Sequence, residues 1–169
     1  MFALLLMSQS LVAWSFNLAP QKLPFFVPNV SFTSQSKQYS LSDYKGKKVV
    51  LWLFSTWCHT CVASVKAMQK NQALWEKTGL VILALRNYDN GGYPGVGMPA
   101  FMQKFAPDVK SLNNWITGEA SQQMNEKLNA KKFPDIYFLI DENGIVQSVN
   151  TAPNRTMKLI SVFAKGSNQ

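Results

Sequence analysis

From Val49 to Phe54 the chain reads Val-Val-Leu-Trp-Leu-Phe, with no polar interruption. A strand that faces water on one side alternates apolar with polar residues. An unbroken run rich in β-branched and aromatic side chains instead requires burial on both faces. The chain therefore has to supply a sheet covered on both sides. The residues that follow begin to do so: Cys61, Val65, Met68 and Trp75 recur at helical spacing. They form one apolar stripe of a helix reaching about Lys77. Thr78-Gly79 ends that helix, and Leu80–Leu85 is a second apolar run. Strand, helix and strand in this order predict a parallel pair joined by a right-handed crossover.

The remainder is consistent with an α/β domain. A polar, Gly-rich loop spans 87–97, Met98–Phe105 reads as a short helix before Pro107, and Ser121–Leu128 as another. Ile136–Ile140 and Ile145–Val149 flank Asp141-Glu142-Asn143-Gly144, whose Asn-Gly step suits a hairpin turn. Thr156–Ala164 is expected to be a closing helix, stopped near Gly166. The fold class is thus α/β, a mixed central sheet flanked by helices, parallel in one half and antiparallel in the other. Upstream, the three prolines of residues 20–30 suit a linker entering an edge strand, where a missing amide is tolerated.

With 169 residues, 47% of them hydrophobic and 15% charged, the chain has too much apolar surface to remain disordered and is sized for one domain. We expect the domain at 25–167, a linker at 16–24, and a signal peptide or membrane anchor at 1–15. That N-terminal segment is apolar, with Ala13 and Ser15 as small residues for cleavage, although no Lys or Arg precedes it. Export to the periplasm follows as the expected localisation. The net charge of +8 comes from cations scattered between Lys22 and Lys165. With neither a recognition motif nor a long basic run, nucleic acid is not an expected partner.

Chemistry concentrates in Trp57-Cys58-His59-Thr60-Cys61, which holds both cysteines of the chain. They lie where the buried strand turns into the helix. A helix N-terminus offers unpaired amides and partial positive charge, so a Cys58 thiolate is stabilised there and can attack. Cys61, nearly one turn further in, is placed to resolve a mixed disulfide. Other uses of the pair fit less well. A zinc site needs about four ligands, against two cysteines and the single His59. Haem attachment needs His after the second cysteine, where Val62 stands. A disulfide closing so short a loop removes little chain entropy. No metal or cofactor is expected.

The stretch Tyr39–Leu51 followed by Trp57–Cys61, and then Lys132-Phe133-Pro134-Asp135-Ile136-Tyr137-Phe138-Leu139-Ile140-Asp141-Glu142-Asn143-Gly144, resembles the exported thioredoxin-like proteins of the TlpA/ResA/DsbE type. The resemblance covers roughly residues 25–165. It implies a thioredoxin fold, with Pro134 in cis facing the cysteines, Phe133 lining a substrate groove and Trp57 flanking it. It also implies thiol–disulfide exchange with protein partners, in the reductive direction, by a monomer; a membrane-bound electron donor is a further candidate partner. An oxidase or isomerase is the alternative. A Cu(I)-handling protein or a thiol peroxidase stands further off, because the spacing is short, no second histidine exists and no peroxide pocket is suggested.

The sequence departs from these relatives in its acids. Reductive members carry a Glu three residues after the second cysteine, where this chain has Ser64. Thioredoxin itself has an Asp six residues before the first cysteine, where this chain has Trp52. Proton transfer therefore needs water or another acid, or is slow. Between the cysteines, His59 and Thr60 are placed to tune the pair, since a cation beside Cys58 favours its thiolate. The glycines of Gly91–Ala100 imitate a dinucleotide fingerprint, but the loop is long and no acidic residue lies between 109 and 118, around position 115. A mobile loop at the edge of the active site is the expected reading.

Overall fold

The computed structural model describes residues 18–166, so the expected signal segment lies outside the described residues. Eight strands form one mixed sheet: β1 (Phe25–Phe26), β2 (Ser31–Ser34), β3 (Lys37–Ser40), β4 (Val49–Phe54), β5 (Val81–Arg86), β6 (Trp115–Ala120), β7 (Asp135–Ile140) and β8 (Ile145–Asn150). Their order across the sheet is β1-β8-β7-β4-β5-β6-β2-β3. The helices are α1 (His59–Lys70), α2 (Gln72–Thr78), α3 (Met98–Phe105), α4 (Gln122–Leu128) and α5 (Met157–Lys165). Strand β4 pairs parallel with β5 and antiparallel with β7. This is the expected α/β thioredoxin-like arrangement.

Strand β4 shows why its sequence is apolar throughout. Val50, Trp52 and Phe54 enter one core layer with Val65, Met68, Trp75, Phe101 and Ile160. Val49, Leu51 and Leu53 enter the other with Phe32, Met124 and Leu128. Successive side chains of a strand point to opposite faces, and here each face meets helices. Full burial of one such side chain contributes roughly 1.5–3 kcal/mol, so a polar residue anywhere in β4 would be costly.

The single helix expected as far as Lys77 is two helices. Asn71 leaves helical geometry at φ −96°, ψ 14°, and its side-chain amide donates to the Ala67 carbonyl at 2.9 Å. The Trp75 indole donates to the Met68 carbonyl at 2.8 Å, satisfying an acceptor at the break. The apolar stripe survives because Met68 and Trp75 still face the same layer.

Two elements were not foreseen. Strands β2 and β3 form a hairpin whose turn residues, Gln35 and Ser36, both adopt positive φ, at 48° and 63°. Such turns ordinarily carry Asn or Gly, so composition gave no signal. Strand β6 extends the parallel half beside β5, yet reads Trp-Ile-Thr-Gly-Glu-Ala, too polar to resemble β4 or β5. Its Gly118 is required by close approach: a β-carbon there would overlap the carbonyl oxygen of Thr33 on β2. Gly118→Ala should therefore push β2 away from β6 and lower stability by about 1–3 kcal/mol, read as a lower urea midpoint.

Candidate functional site

Cys58 is the N-cap of α1, in extended conformation at φ −77°, ψ 112°. Its amide donates to the Ser55 carbonyl at 3.0 Å, fixing the turn out of β4. Cys61, one turn in, is bonded to it as a disulfide with Cα atoms 5.3 Å apart. The two sulfurs differ in access: Cys58 is 6% exposed and Cys61 0%. An incoming group therefore meets Cys58 first. The Thr60 hydroxyl lies 3.1 Å from Cys58 Sγ, where it can donate to a thiolate. Cys61 Sγ lies 3.6 Å from the Pro134 carbonyl, an acceptor for its proton once the disulfide is reduced. His59 is exposed at the helix start.

Beside the pair, Trp57 is 38% exposed. Its indole donates to the Asn90 carbonyl at 2.9 Å, and the Tyr93 ring meets it edge-on at 5.1 Å. Asn90 also accepts from the Thr56 amide at 2.9 Å, while the Thr56 hydroxyl donates to the Val96 carbonyl at 2.7 Å. The Gly-rich loop is thus at the active-site edge, as expected, but tied to the turn that carries Cys58 rather than loose. Tyr88, Tyr93 and Val96 are exposed along it.

The expected cis bond at Pro134 is corrected: among the described residues the cis peptide is Leu23–Pro24. An asparagine cluster shapes the approach to Pro134. The Phe133 amide donates to Asn129 Oδ1 at 2.8 Å, and its carbonyl accepts from Asn129 and Asn87 at 2.8 and 3.2 Å. Lys132, in left-handed conformation at φ 55°, completes the turn. Both main-chain groups of Phe133 are therefore engaged within the protein, and its side chain packs on the layer away from the cysteines. Pro134 remains at the site through its carbonyl, which accepts from the Ser55 amide at 2.9 Å.

Sequence reasoning assigned no role to Asp135. It opens β7 opposite Phe54, is 5% exposed, and one of its carboxylate oxygens and both cysteine sulfurs lie within 4.8 Å of one another. Trp52, diagonal to it across the β4–β7 pairing, donates its indole N–H to Asp135 Oδ1 at 2.7 Å. Among the described residues Oδ2 has no hydrogen-bond partner, and it is buried. The only available signal was a lone acid between Pro134 and an apolar strand. Ser64, where an acid was looked for, is buried and donates to Asn154 Oδ1 at 3.0 Å.

Burial pushes the Asp135 carboxyl above the usual carboxylate range; the Trp52 indole opposes this, as do the Ala152 main chain and the Thr60 hydroxyl, though neither of these reaches bonding geometry on Oδ2. Burial likewise raises the Tyr137 hydroxyl, against its bond to Thr156 and reinforced by the Asp135 charge. For Asp135 the folded protein holds its proton more tightly than the unfolded chain. Its favourable contribution is complete below the ordinary carboxylate pKa and is lost as pH rises through the raised one. Asp135→Asn should therefore raise the urea midpoint of the oxidised protein at neutral pH and leave it nearly unchanged at about pH 3, where the acid is neutral.

Residues 21–163 match the Redoxin family model. The chain is 32% identical over 114 residues to the thiol-disulfide oxidoreductase ResA of Geobacillus kaustophilus, covering 68% of this chain and 60% of that protein. It is 28% identical over 118 residues to the thioredoxin-like protein YneN of Bacillus subtilis, covering 70% and 64%. The match thus spans less than two thirds of these relatives' length. Among solved structures, a thiol:disulfide interchange protein of Chlorobium tepidum superposes with a TM-score of 0.63 at 19% identity, covering 85% of this chain and 97% of that one. A SCO1/SenC family lipoprotein of Bacillus anthracis superposes at 0.60 with 20% identity, covering 86% and 99%. These likenesses establish the fold, and the family match extends through both cysteines and the β7–β8 hairpin: the chain belongs to the Redoxin family.

Proposed function

We propose that this protein is a thiol–disulfide oxidoreductase that reduces disulfides of partner proteins outside the cytoplasm. The observation that carries the reading is the bonded Cys58–Cys61 pair at the start of α1, with one sulfur reachable and the other enclosed. The reduced Cys58 thiolate, stabilised by the helix terminus and the Thr60 hydroxyl, attacks a substrate disulfide. Cys61 then resolves the mixed disulfide. The reductive direction is supported by electrostatics. His59 projects into solvent, where its charge is screened and favours the reduced thiolate little. A buried carboxylate beside the sulfurs opposes thiolates. Neither feature makes the pair strongly oxidising. Export rests on the apolar segment 1–15.

Partner proteins are proposed to lie across Trp57, Tyr93 and Val96, which form an exposed apolar rim next to Cys58. Pro134 forms the opposing wall. Phe133 acts there through the turn it anchors.

Three measurements test this reading. Equilibration with thiol buffers should give a midpoint of about −250 mV or lower; a value near −120 to −180 mV would reverse the direction to an oxidase. Cys61→Ala should accumulate a mixed disulfide with an oxidised protein substrate, and Cys58→Ala should accumulate none. Trp57→Ala should slow reduction of a protein substrate by about 5- to 30-fold, matching a loss of about 1–2 kcal/mol, while small disulfides react at the original rate.

A further inference from the structure

We infer that Asp135 is the proton carrier for Cys61, held in place by Trp52. The inference rests on the exchange reading above and adds the group that makes its second step possible. Cys61 is fully enclosed, so bulk water cannot take its proton directly, and a thiol must lose that proton before it can attack. Positions 52 and 64, six residues before Cys58 and three after Cys61, hold Trp and Ser.

Asp135 has the required placement. Its carboxyl lies within 4.8 Å of both sulfurs. Oδ1 is fixed by the Trp52 indole at 2.7 Å, and Oδ2 is left without a partner. A buried carboxyl oxygen with nothing bonded to it is costly. A group needed only to satisfy an indole N–H would not have to be an acid. The groups facing Asp135 are few. From α1 come Cys58, Cys61 and the Thr60 hydroxyl; from β4, Trp52; from the segment after β8, the Ala152 main chain. Tyr137, the neighbouring titratable group on β7, donates its hydroxyl to Thr156 at 2.8 Å. Among the described residues no Lys, Arg or His lies within ion-pair distance of Asp135, so none of them holds its charge as a counter-ion. Burial keeps its proton affinity above that of an ordinary carboxylate.

The proton balance is complete. Cys58 thiolate attacks the substrate disulfide, forming a Cys58–substrate bond and expelling one substrate thiolate. Asp135 carboxylate takes the proton of the Cys61 thiol. Cys61 thiolate attacks Cys58 Sγ, the mixed disulfide breaks, and the second substrate thiolate departs. That thiolate receives the proton from Asp135, directly or through water. The enzyme dithiol is oxidised by two electrons and the substrate disulfide is reduced by two. When a reducing dithiol partner later opens Cys58–Cys61, the Asp135 carboxylate takes the proton of the partner's second thiol as that sulfur closes the partner's own disulfide, and passes it to the departing Cys61 thiolate.

An aromatic disulfide that yields a coloured thiolate separates the two steps in the full-length reduced protein. The first release reports Cys58 and the second reports Cys61. Asp135→Asn preserves an acceptor for Trp52 and should slow the second release by about tenfold or more relative to the first at neutral pH. The deficit should close well above the ordinary thiol pKa, where Cys61 ionises unaided. Trp52→Phe, which frees the carboxyl, should slow the second release less and shift its pH profile. An unchanged second release in Asp135→Asn, or equal slowing of both, overturns the assignment. The unsubstituted protein gives a check that needs no variant. Its second release should follow two coupled titrations, and a profile with one thiol titration alone also overturns it. If Cys58 releases no coloured thiolate at all, the exchange reading itself fails.

Discussion

Burial of β4 on both faces is the constraint from which the site follows. Because Val49–Phe54 is covered above and below, the strand can be neither shifted by one residue nor exposed without turning core side chains into water. Its register with β7 is thereby fixed: Trp52 opposite Tyr137, and Phe54 opposite Asp135. The chain leaves β4 at Ser55, and the first helical turn arrives directly above that pairing. The disulfide, the Pro134 carbonyl and the Asp135 carboxyl meet because one strand end, one helix start and one neighbouring strand start coincide. No loop has to be ordered to bring them together.

Much of this was legible in the chain. The continuous apolar run, the helical stripe after Cys58, and the Asn-Gly turn each follow from local periodicity, and each lies where expected. The hidden parts depend on partners remote in sequence. Trp52 and Asp135 are separated by 83 positions, and neither residue type announces the other. The hairpin at Gln35-Ser36 uses residues that do not advertise positive φ. Strand β6 was masked by Thr, Gly and Glu, of which Gly118 answers to the backbone of β2 and Glu119 to Arg86, at 2.6 Å. The long helix was divided by one Asn acting on a carbonyl four residues back.

Before Pro134 the sequence pattern comes with hydrogen bonds that its residues did not disclose. Lys-Phe-Pro precedes the strand as the resemblance required, yet Asn87, Asn125 and Asn129 form a side-chain network that occupies the Phe133 backbone. Buried amides of this kind are stable only when nearly every donor and acceptor is used. Here Asn87 Nδ2 reaches Ser55 and Phe133, and its Oδ1 accepts from both other asparagines. A substrate backbone seeking Phe133 would have to displace this network. The exposed rim of Trp57 and Tyr93 is open without such a rearrangement.

The same carboxyl that serves proton transfer is a burden to the fold. A buried Asp with one free oxygen and no counter-ion weakens the protein whenever it ionises, and replacing it with an amide removes that penalty. An acid that loses stability on ionisation also binds its proton more tightly than an ordinary carboxylate does, which favours taking one from a thiol. Adding a lysine beside Asp135 would relieve the fold but hold the carboxyl in its charged form, lowering its ability to accept a proton from Cys61. Trp52 offers the intermediate solution: a neutral donor that fixes the orientation of the group and lowers its proton affinity without overriding the effect of burial. Stability and exchange thus place opposite demands on one side chain, and an indole in place of a cation keeps both within range.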